Sequence, residues 1–294
     1  MRRLPGVVVG LHLGLIASIT AVSAQEFEVP ILRGSEALIP TPPTSTIWCG
    51  VYAGGQAGFT ASGANFGSSV NDLAASIVRN TVLEPVVTNL ATLPKGASNG
   101  SNVGGFFGYN TQWEGTILGF EINYSRMAVG NGAVDTIPPL LVANDSGAPT
   151  GHHFIYGINE NGSETVRITD LATFRARAGW IAGQFLPYGF IGFAVARADV
   201  NRSATVLWTR TDFPDQTTPP TPPITPIPTA FGGGTKTDVQ NGGLYYGYAA
   251  GIGMDVFVMP TVFLRGEWEY VQLPNVKGMT VNLNNLRLAV GAKF

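Results

Sequence analysis

The side chains best suited to chemistry are two adjacent histidines and a scattered set of charges. His152 and His153 place two imidazoles side by side, with Phe154 and Tyr156 close behind. Imidazole is a usual axial ligand for haem iron, and apolar rings nearby offer cover for a porphyrin face. The remaining histidine, His12, lies in an apolar N-terminal stretch. The sequence holds no nucleophile elbow, no phosphate-cradling glycine loop and no zinc-ligand cluster. It therefore predicts a non-enzymatic protein with no catalytic residue, no metal site and no resident cofactor. The other candidates are Glu121, Arg175, Arg177, Asp255, Arg265, Glu267, Glu269, Arg287 and Lys293. Each sits in a run where polar and apolar residues take turns, so the elements that carry them must be strands.

Eight such runs follow one another from Ile47 to the end. The first, VYAGGQAGFT, sets Val51, Ala53, Ala57 and Phe59 against Tyr52, Gln56 and Thr60. The second sets Val103, Phe107, Tyr109 and Trp113 against Asn102, Asn110 and Gln112. The third sets Leu118, Phe120, Ile122 and Tyr124 against Glu121, Asn123 and Ser125. In the fourth, Phe174, Ala176, Ala178 and Trp180 alternate with Thr173, Arg175 and Arg177. The fifth, PYGFIGFAVA, is apolar on both faces, and Ile191, Phe193 and Val195 are assigned outward. The sixth turns Tyr248, Ile252 and Met254 outward and Asp255 inward. The seventh sets Val262, Leu264, Trp268 and Tyr270 against Arg265, Glu267 and Glu269. The last sets Leu286, Leu288, Val290 and Phe294 against Asn285, Arg287 and Lys293. Each run is about ten residues, the length of a tilted transmembrane strand.

Composition excludes other classes. The 294 residues carry 17 basic and 19 acidic side chains, a net charge of −2, which argues against a nucleic-acid binder. Charged residues are 12% of the chain, about half the usual share of roughly 25% in soluble domains. The long apolar stretch is N-terminal: Arg2 and Arg3, an apolar core from Val7 to Val22, then Val22-Ser23-Ala24. That pattern predicts a secretory signal peptide over residues 1–24, cleaved before Gln25. Residues 25–46, with Pro30, Pro40, Pro42 and Pro43, predict a periplasmic linker without a core. The single cysteine, Cys49, excludes an intrachain disulfide.

The links between runs alternate short and long. Those around Glu114-Gly115, Ala182–Phe185 and Phe257–Pro260 are short; those over 61–101, 128–170 and 198–242 are long, and the one over 272–280 is intermediate. Short periplasmic turns and long outer loops characterise outer-membrane barrels. The fold class expected is all-β: an eight-stranded antiparallel transmembrane up-and-down β-barrel over residues 47–294. Outward aromatics then form two girdles, Trp113, Trp180 and Phe294 at the periplasmic rim, and Phe59, Tyr124, Tyr248 and Tyr270 at the outer rim. Inward charges in so narrow a bore predict a filling ion-pair network, because an unpaired buried ion costs several kcal/mol. A narrow pore is the alternative use of the same charges. In the long links, Val70, Leu73, Ala74 and Ile77 predict a short surface helix. Asn159–Gly162 predicts a hairpin turn, and the proline run of the third link predicts an extended, unpaired segment.

The motifs WCGVYAGGQAGF, SNVGGFFGYNTQWEGTILGFEINYS, LATFRARAGW with LPYGFIGFA, GYAAGIGMDV with LRGEWEYV, and terminal NNLRLAVGAKF together resemble the small outer-membrane β-barrel proteins of alpha-proteobacteria. That family includes surface antigens and haemin-binding members. The resemblance spans Trp48 to Phe294 and departs from the family at Cys49 and in its long second and third loops. It implies a Gram-negative outer-membrane location, with lipid and lipopolysaccharide as surroundings. It also implies that the insertion machinery recognises the last strand, ending at Phe294. A structural and surface-interaction role follows, with an extracellular ligand for the loops. The alternative it implies is a porin-like channel or a haem-binding receptor that uses His152 and His153.

Overall fold

A computed structural model describes residues 48–214 and 227–294. The signal peptide and the linker, expected at 1–24 and 25–46, and all but the last two residues of the proline run of the third link (219–228) lie outside the described residues. Ile227 and Pro228 begin a strand and pair with Asp212 and Thr211, so the end of that run is in the ladder rather than unpaired.

Period-two alternation converts directly into strands. The order is β1 (Gly50–Gly67), α1 (Asn71–Ile77), α2 (Glu84–Val87), β2 (Leu93–Trp113), β3 (Thr116–Ala143), β4 (His152–Trp180), β5 (Phe185–Pro214), β6 (Ile227–Phe257), β7 (Val262–Val276) and β8 (Met279–Lys293). Each strand pairs antiparallel with the next, and β1 pairs with β8, so the sheet closes into an eight-stranded barrel. Closure leaves no unpaired edge in the hydrocarbon layer, where a free backbone N–H or C=O costs several kcal/mol. All eight runs keep the faces their alternation assigns. Even in β5 the outward set is Ile191 and Phe193, while Leu186, Tyr188 and Phe190 are buried.

The strands are longer than the sequence runs. β3 to β6 span 28, 29, 30 and 31 residues, so the second and third long links are mostly continued strand. Pairing runs up to Ala143↔Ile155, His152↔Pro214 and Asp212↔Ile227. The outer pairs β2/β3 and β6/β7 stop earlier, at Asn102↔Met127 and Tyr248↔Gln272. A four-stranded wall therefore rises above the rest of the ring. Register shifts fall at Arg126/Val129, Ile168/Asp170 and Ala198/Val200, at the base of the three wall ladders, and higher up at Ile137/Leu140 and Arg210/Thr211. An extra residue in a strand bends it and raises its twist, so the three shifts at the base set the angle at which the wall leaves the barrel.

Two turns differ from expectation. The β3–β4 connection is 144–151, where Gly147 and Gly151 have positive φ, and Asn159–Gly162 is internal to β4. Pairing with both β3 and β5 holds that tetrad in the ladder. The intermediate seventh link tightens to Lys277-Gly278, with φ of 55° and 89°. Positive φ at both positions is the geometry of a two-residue hairpin. The helix anticipated at Val70–Ile77 forms as α1 but is not a surface helix. Val70, Ala74, Val78, Leu83 and Val87 are buried against β4, β5, β7 and β8, so the α1–α2 segment plugs the barrel mouth.

Candidate functional site

The bore is filled in three layers. At the periplasmic end Trp48, Tyr52, Phe106, Ile117, Leu186, Phe263 and Ala289 form an apolar seal. At the outer end the α1–α2 plug and the inner faces of the strands form a second apolar core. Between them lie the charges.

The middle layer is balanced, with Arg175, Arg177, Arg265 and Arg287 against Glu121, Asp255, Glu267 and Glu269, all buried. Arg265 sits on β7 and donates through Nη1 to Glu121 on β3 at 2.7 Å and through Nε to Asp255 on β6 at 2.8 Å. Arg177 donates to Asp255 at 2.7 Å and to the Tyr52 hydroxyl at 3.0 Å. Arg175 and Arg287 both reach Glu267 Oε1 at 2.7 Å, and Arg287 also meets Glu269 at 2.8 Å. Tyr52 and Tyr188 donate their hydroxyls to Glu121 and Glu267 at 2.9 and 2.8 Å. Aromatic faces cover the guanidinium groups: Tyr188 under Arg177 at 3.8 Å, Phe106 under Arg265 at 4.2 Å and Phe190 under Arg175 at 4.4 Å. Desolvation is offset because each charge meets an opposite charge and further donors or ring faces. Above the ions, Gln56 and Asn123 exchange amide hydrogen bonds at 2.8 and 2.9 Å, and Thr60 donates to Asn285 at 2.7 Å.

Lys293 does not lie in this layer. It is half-buried at the end of β8, opposite Tyr52 in register, at the periplasmic rim. The sequence reading also missed the aromatic members Tyr52, Tyr188, Phe106 and Phe190 as partners of the ions. Their signal is the inward glycines of neighbouring strands. A Cβ on Gly253 would lie 2.4 Å from the Tyr188 hydroxyl, and one on Gly108 would lie 2.4 Å from that of Tyr52. Only glycine lets these rings lie flat across the bore.

The outward surface carries Trp113, Trp180 and Phe294 at one end. Phe59, Tyr124, Tyr248 and Tyr270 lie eight or nine residues further along their strands. The intervening positions, such as Phe120, Ile191, Ile252 and Leu288, are exposed and apolar.

The histidines stand at the top of the wall, on opposite faces of β4 as neighbours in a strand must be. His152 Nδ1 is 2.8 Å from Asp212, and His153 Nδ1 is 2.8 Å from Asp145. Phe154 and Tyr156 are buried on the inner face. The two imidazoles therefore cannot ligate one haem iron together, and the two rings give no outer platform for a porphyrin.

A second polar set, missed by the sequence reading, lies within the wall. Arg202 on β5 donates to the Ser69 carbonyl at 2.6 Å and to Asp238 on β6 at 2.6 Å, and it meets Asp72 of α1 at 3.2 Å. It thereby clamps the plug to the wall. Glu164 accepts from the Ser69 hydroxyl, and burial pushes its carboxyl up to about 7. Glu160 is fully buried with neither carboxylate oxygen hydrogen-bonded among the described residues. Burial and the nearby Asp135 carboxylate push it up to about 7.

Comparison with known proteins agrees with this architecture. Residues 15–294 match the family model of the outer membrane protein beta-barrel domain. No curated protein matches the chain. Among solved structures, the chain is similar to Neisserial surface protein A of Neisseria, at 13% identity and a TM-score of 0.34, covering 83% of this chain and 97% of that one. It is also similar to Ail, the attachment invasion locus protein of Yersinia pestis, solved with the heparin analogue sucrose octasulfate, at 9% identity and a TM-score of 0.29, covering 83% and 99%. The family match spans the strands, the plug and the closing β8, and by it the chain belongs to the outer membrane protein beta-barrel family.

Proposed function

We propose that this protein is a closed, non-enzymatic barrel that works at the cell surface, with the wall of β3 to β6 as its interaction element. The observation that carries the reading is the outward face of that wall. Val134, Leu141, Leu207, Phe231 and Val239 are exposed there. Each lies 18 or more residues from the periplasmic end of its strand. About ten residues of tilted strand cross the hydrocarbon layer, so these side chains stand in water rather than lipid. Large apolar residues held out on a rigid sheet suit contact with another macromolecule. The filled bore supports the same reading over a solute channel, and the separated histidines support it over a haem receptor. In this account the chain is exported by a cleaved leader, inserted through recognition of the strand ending at Phe294, and surrounded by lipid and lipopolysaccharide.

The test replaces Val134, Leu141, Leu207, Phe231 and Val239 with Ser. Retention of intact expressing cells on a protein-coated surface is then measured at equal amounts of folded barrel. A clear fall in retention is expected, and unchanged retention contradicts the interaction role. A haemin titration followed by absorbance should show no saturable site. Saturable binding lost in His152→Ala/His153→Ala would return the haem reading.

A further inference from the structure

Three arginines face outward where β3, β4 and β5 leave the membrane, and the ion-pair layer does not use them. Arg126 and Arg197 are both cross-strand partners of Asp170, so the three residues form one transverse row. Arg167 lies one bulge further up β4, opposite Asp199. All three arginines are exposed. None of their guanidinium groups makes an ion pair within 4.0 Å or a side-chain hydrogen bond among the described residues, although Arg126 and Arg197 lie near enough to Asp170 to add to the Tyr124 hydroxyl bond in holding its carboxyl below the usual range. The two carboxylates nearby are already occupied. Asp170 accepts from the Tyr124 hydroxyl at 2.6 Å and from Thr169 at 2.7 Å, and Asp199 accepts from the Gly242 N–H at 2.7 Å.

Their height is what selects a ligand. Arg126 and Asp170 are ten residues from the periplasmic ends of their strands, Arg197 is twelve and Arg167 thirteen. Ten residues at about 3.3 Å each, tilted about 40°, rise about 25 Å, the height of the apolar band of an outer-membrane barrel. Tyr124, next below Arg126 on the same face, marks the top of that band. The guanidinium groups thus stand at the level of the outer-leaflet headgroups. At matching heights the other strands present neutral side chains: Ala61, Ser101, Leu244, Gln272 and Asn282. The positive charge is confined to one sector of the ring.

We infer that Arg126, Arg167 and Arg197 form a binding site for the phosphorylated headgroup of an outer-leaflet glycolipid. Guanidinium groups pair with phosphate oxygens through two parallel N–H donors, and three of them around one row suit a headgroup with more than one phosphate. The acyl chains of the same lipid would lie on the apolar surface below, along Phe120, Phe174 and Ile191. A lipid is favoured over a free polyanion because the row borders that surface directly. The site is independent of what the wall binds.

The test uses the full mature protein in detergent, with native mass spectrometry reading retained lipid. The probes are bis-phosphorylated lipid A, its dephosphorylated form and inorganic pyrophosphate. The wild type should retain the phosphorylated lipid at least about tenfold better than the dephosphorylated one, since the guanidinium–phosphate pairs are charge-assisted and the dephosphorylated headgroup offers none. Arg126→Gln/Arg167→Gln/Arg197→Gln should lose that preference while keeping its heat-modifiable gel shift. Arg210→Gln, thirteen residues beyond Arg197 on β5, should leave the preference intact. Equal retention of both lipids by the wild type, or an undiminished preference in the triple variant, would overturn the site. Saturable pyrophosphate binding without a lipid preference would assign the arginines to a soluble polyanion instead and overturn the lipid.

Discussion

Glu121 and Arg265 meet at 2.7 Å although 144 residues separate them in the chain. They stand on β3 and β7, four strands apart in a ring of eight, so their contact spans the full width of the bore. A bond in that position ties opposite sides of the ring together across the bore. Around it, every charge of the layer is tied to at least one neighbour of opposite sign.

A double-mutant cycle at this pair should therefore be far from additive. Arg265→Met leaves Glu121 and Asp255 buried with a missing partner and should cost about 3–5 kcal/mol, whereas Glu121→Gln/Arg265→Met should cost less than the sum of the single changes. Urea unfolding in detergent micelles measures both. Additive costs would mean that the pair does not act as a unit.

The lipid face makes an independent claim about register. Leu288 is 73% exposed at mid-strand in β8 and faces hydrocarbon. Leu288→Arg should destabilise by roughly 2–4 kcal/mol, because a charge at the bilayer midplane is held in lipid. Ser146→Arg, in the β3–β4 turn, should change stability by less than about 0.5 kcal/mol, as surface substitutions usually do. Equal effects at the two positions would show that Leu288 does not face lipid, since a slip of one residue exchanges the faces.

The faces of all eight strands were legible because alternation needs only local sequence. The outer ends were not. The run Asn144–Gly151, with Asp145, Gly147, Pro149 and Gly151, carries turn chemistry as strong as that of Asn159–Gly162. What decides between them is the length over which β3, β4 and β5 pair. Helical spacing disclosed α1, but its burial depends on the mouth of a barrel built by strands far along the chain. Sequence also placed Glu121 and Arg265 inside without matching them, because partners across a bore depend on the stagger of the whole ring. Glu160 gave no signal at all. Its flanks, Asn159 and Asn161, read as a polar loop.

Glu160 leads to a pH dependence with a definite sign. Its carboxyl and that of Glu164 are raised from the usual 4.5 to about 7 in the folded wall. Between those values the native wall holds protons that the open state releases. The seating of the plug therefore loses stability as pH rises from about 4.5 to about 7 and changes little above that. The groups facing them are Asp135 from β3, Asp72 from α1, Arg202 from β5 and Asp238 from β6. Hydrogen exchange over residues 68–92, corrected for intrinsic rates, should be faster at pH 8 than at pH 5. Glu160→Gln/Glu164→Gln should remove most of the difference, and an undiminished difference would locate the proton uptake elsewhere.

Single-channel recording in planar bilayers tests most directly whether the three layers close the bore. The full chain should insert without producing conductance steps, and Glu121→Ala/Arg265→Ala should remain silent as well, because the apolar seals at either end of the bore stay in place. Stable, ohmic steps from the wild type would contradict the account, because ions cannot pass a bore in which those seals are intact.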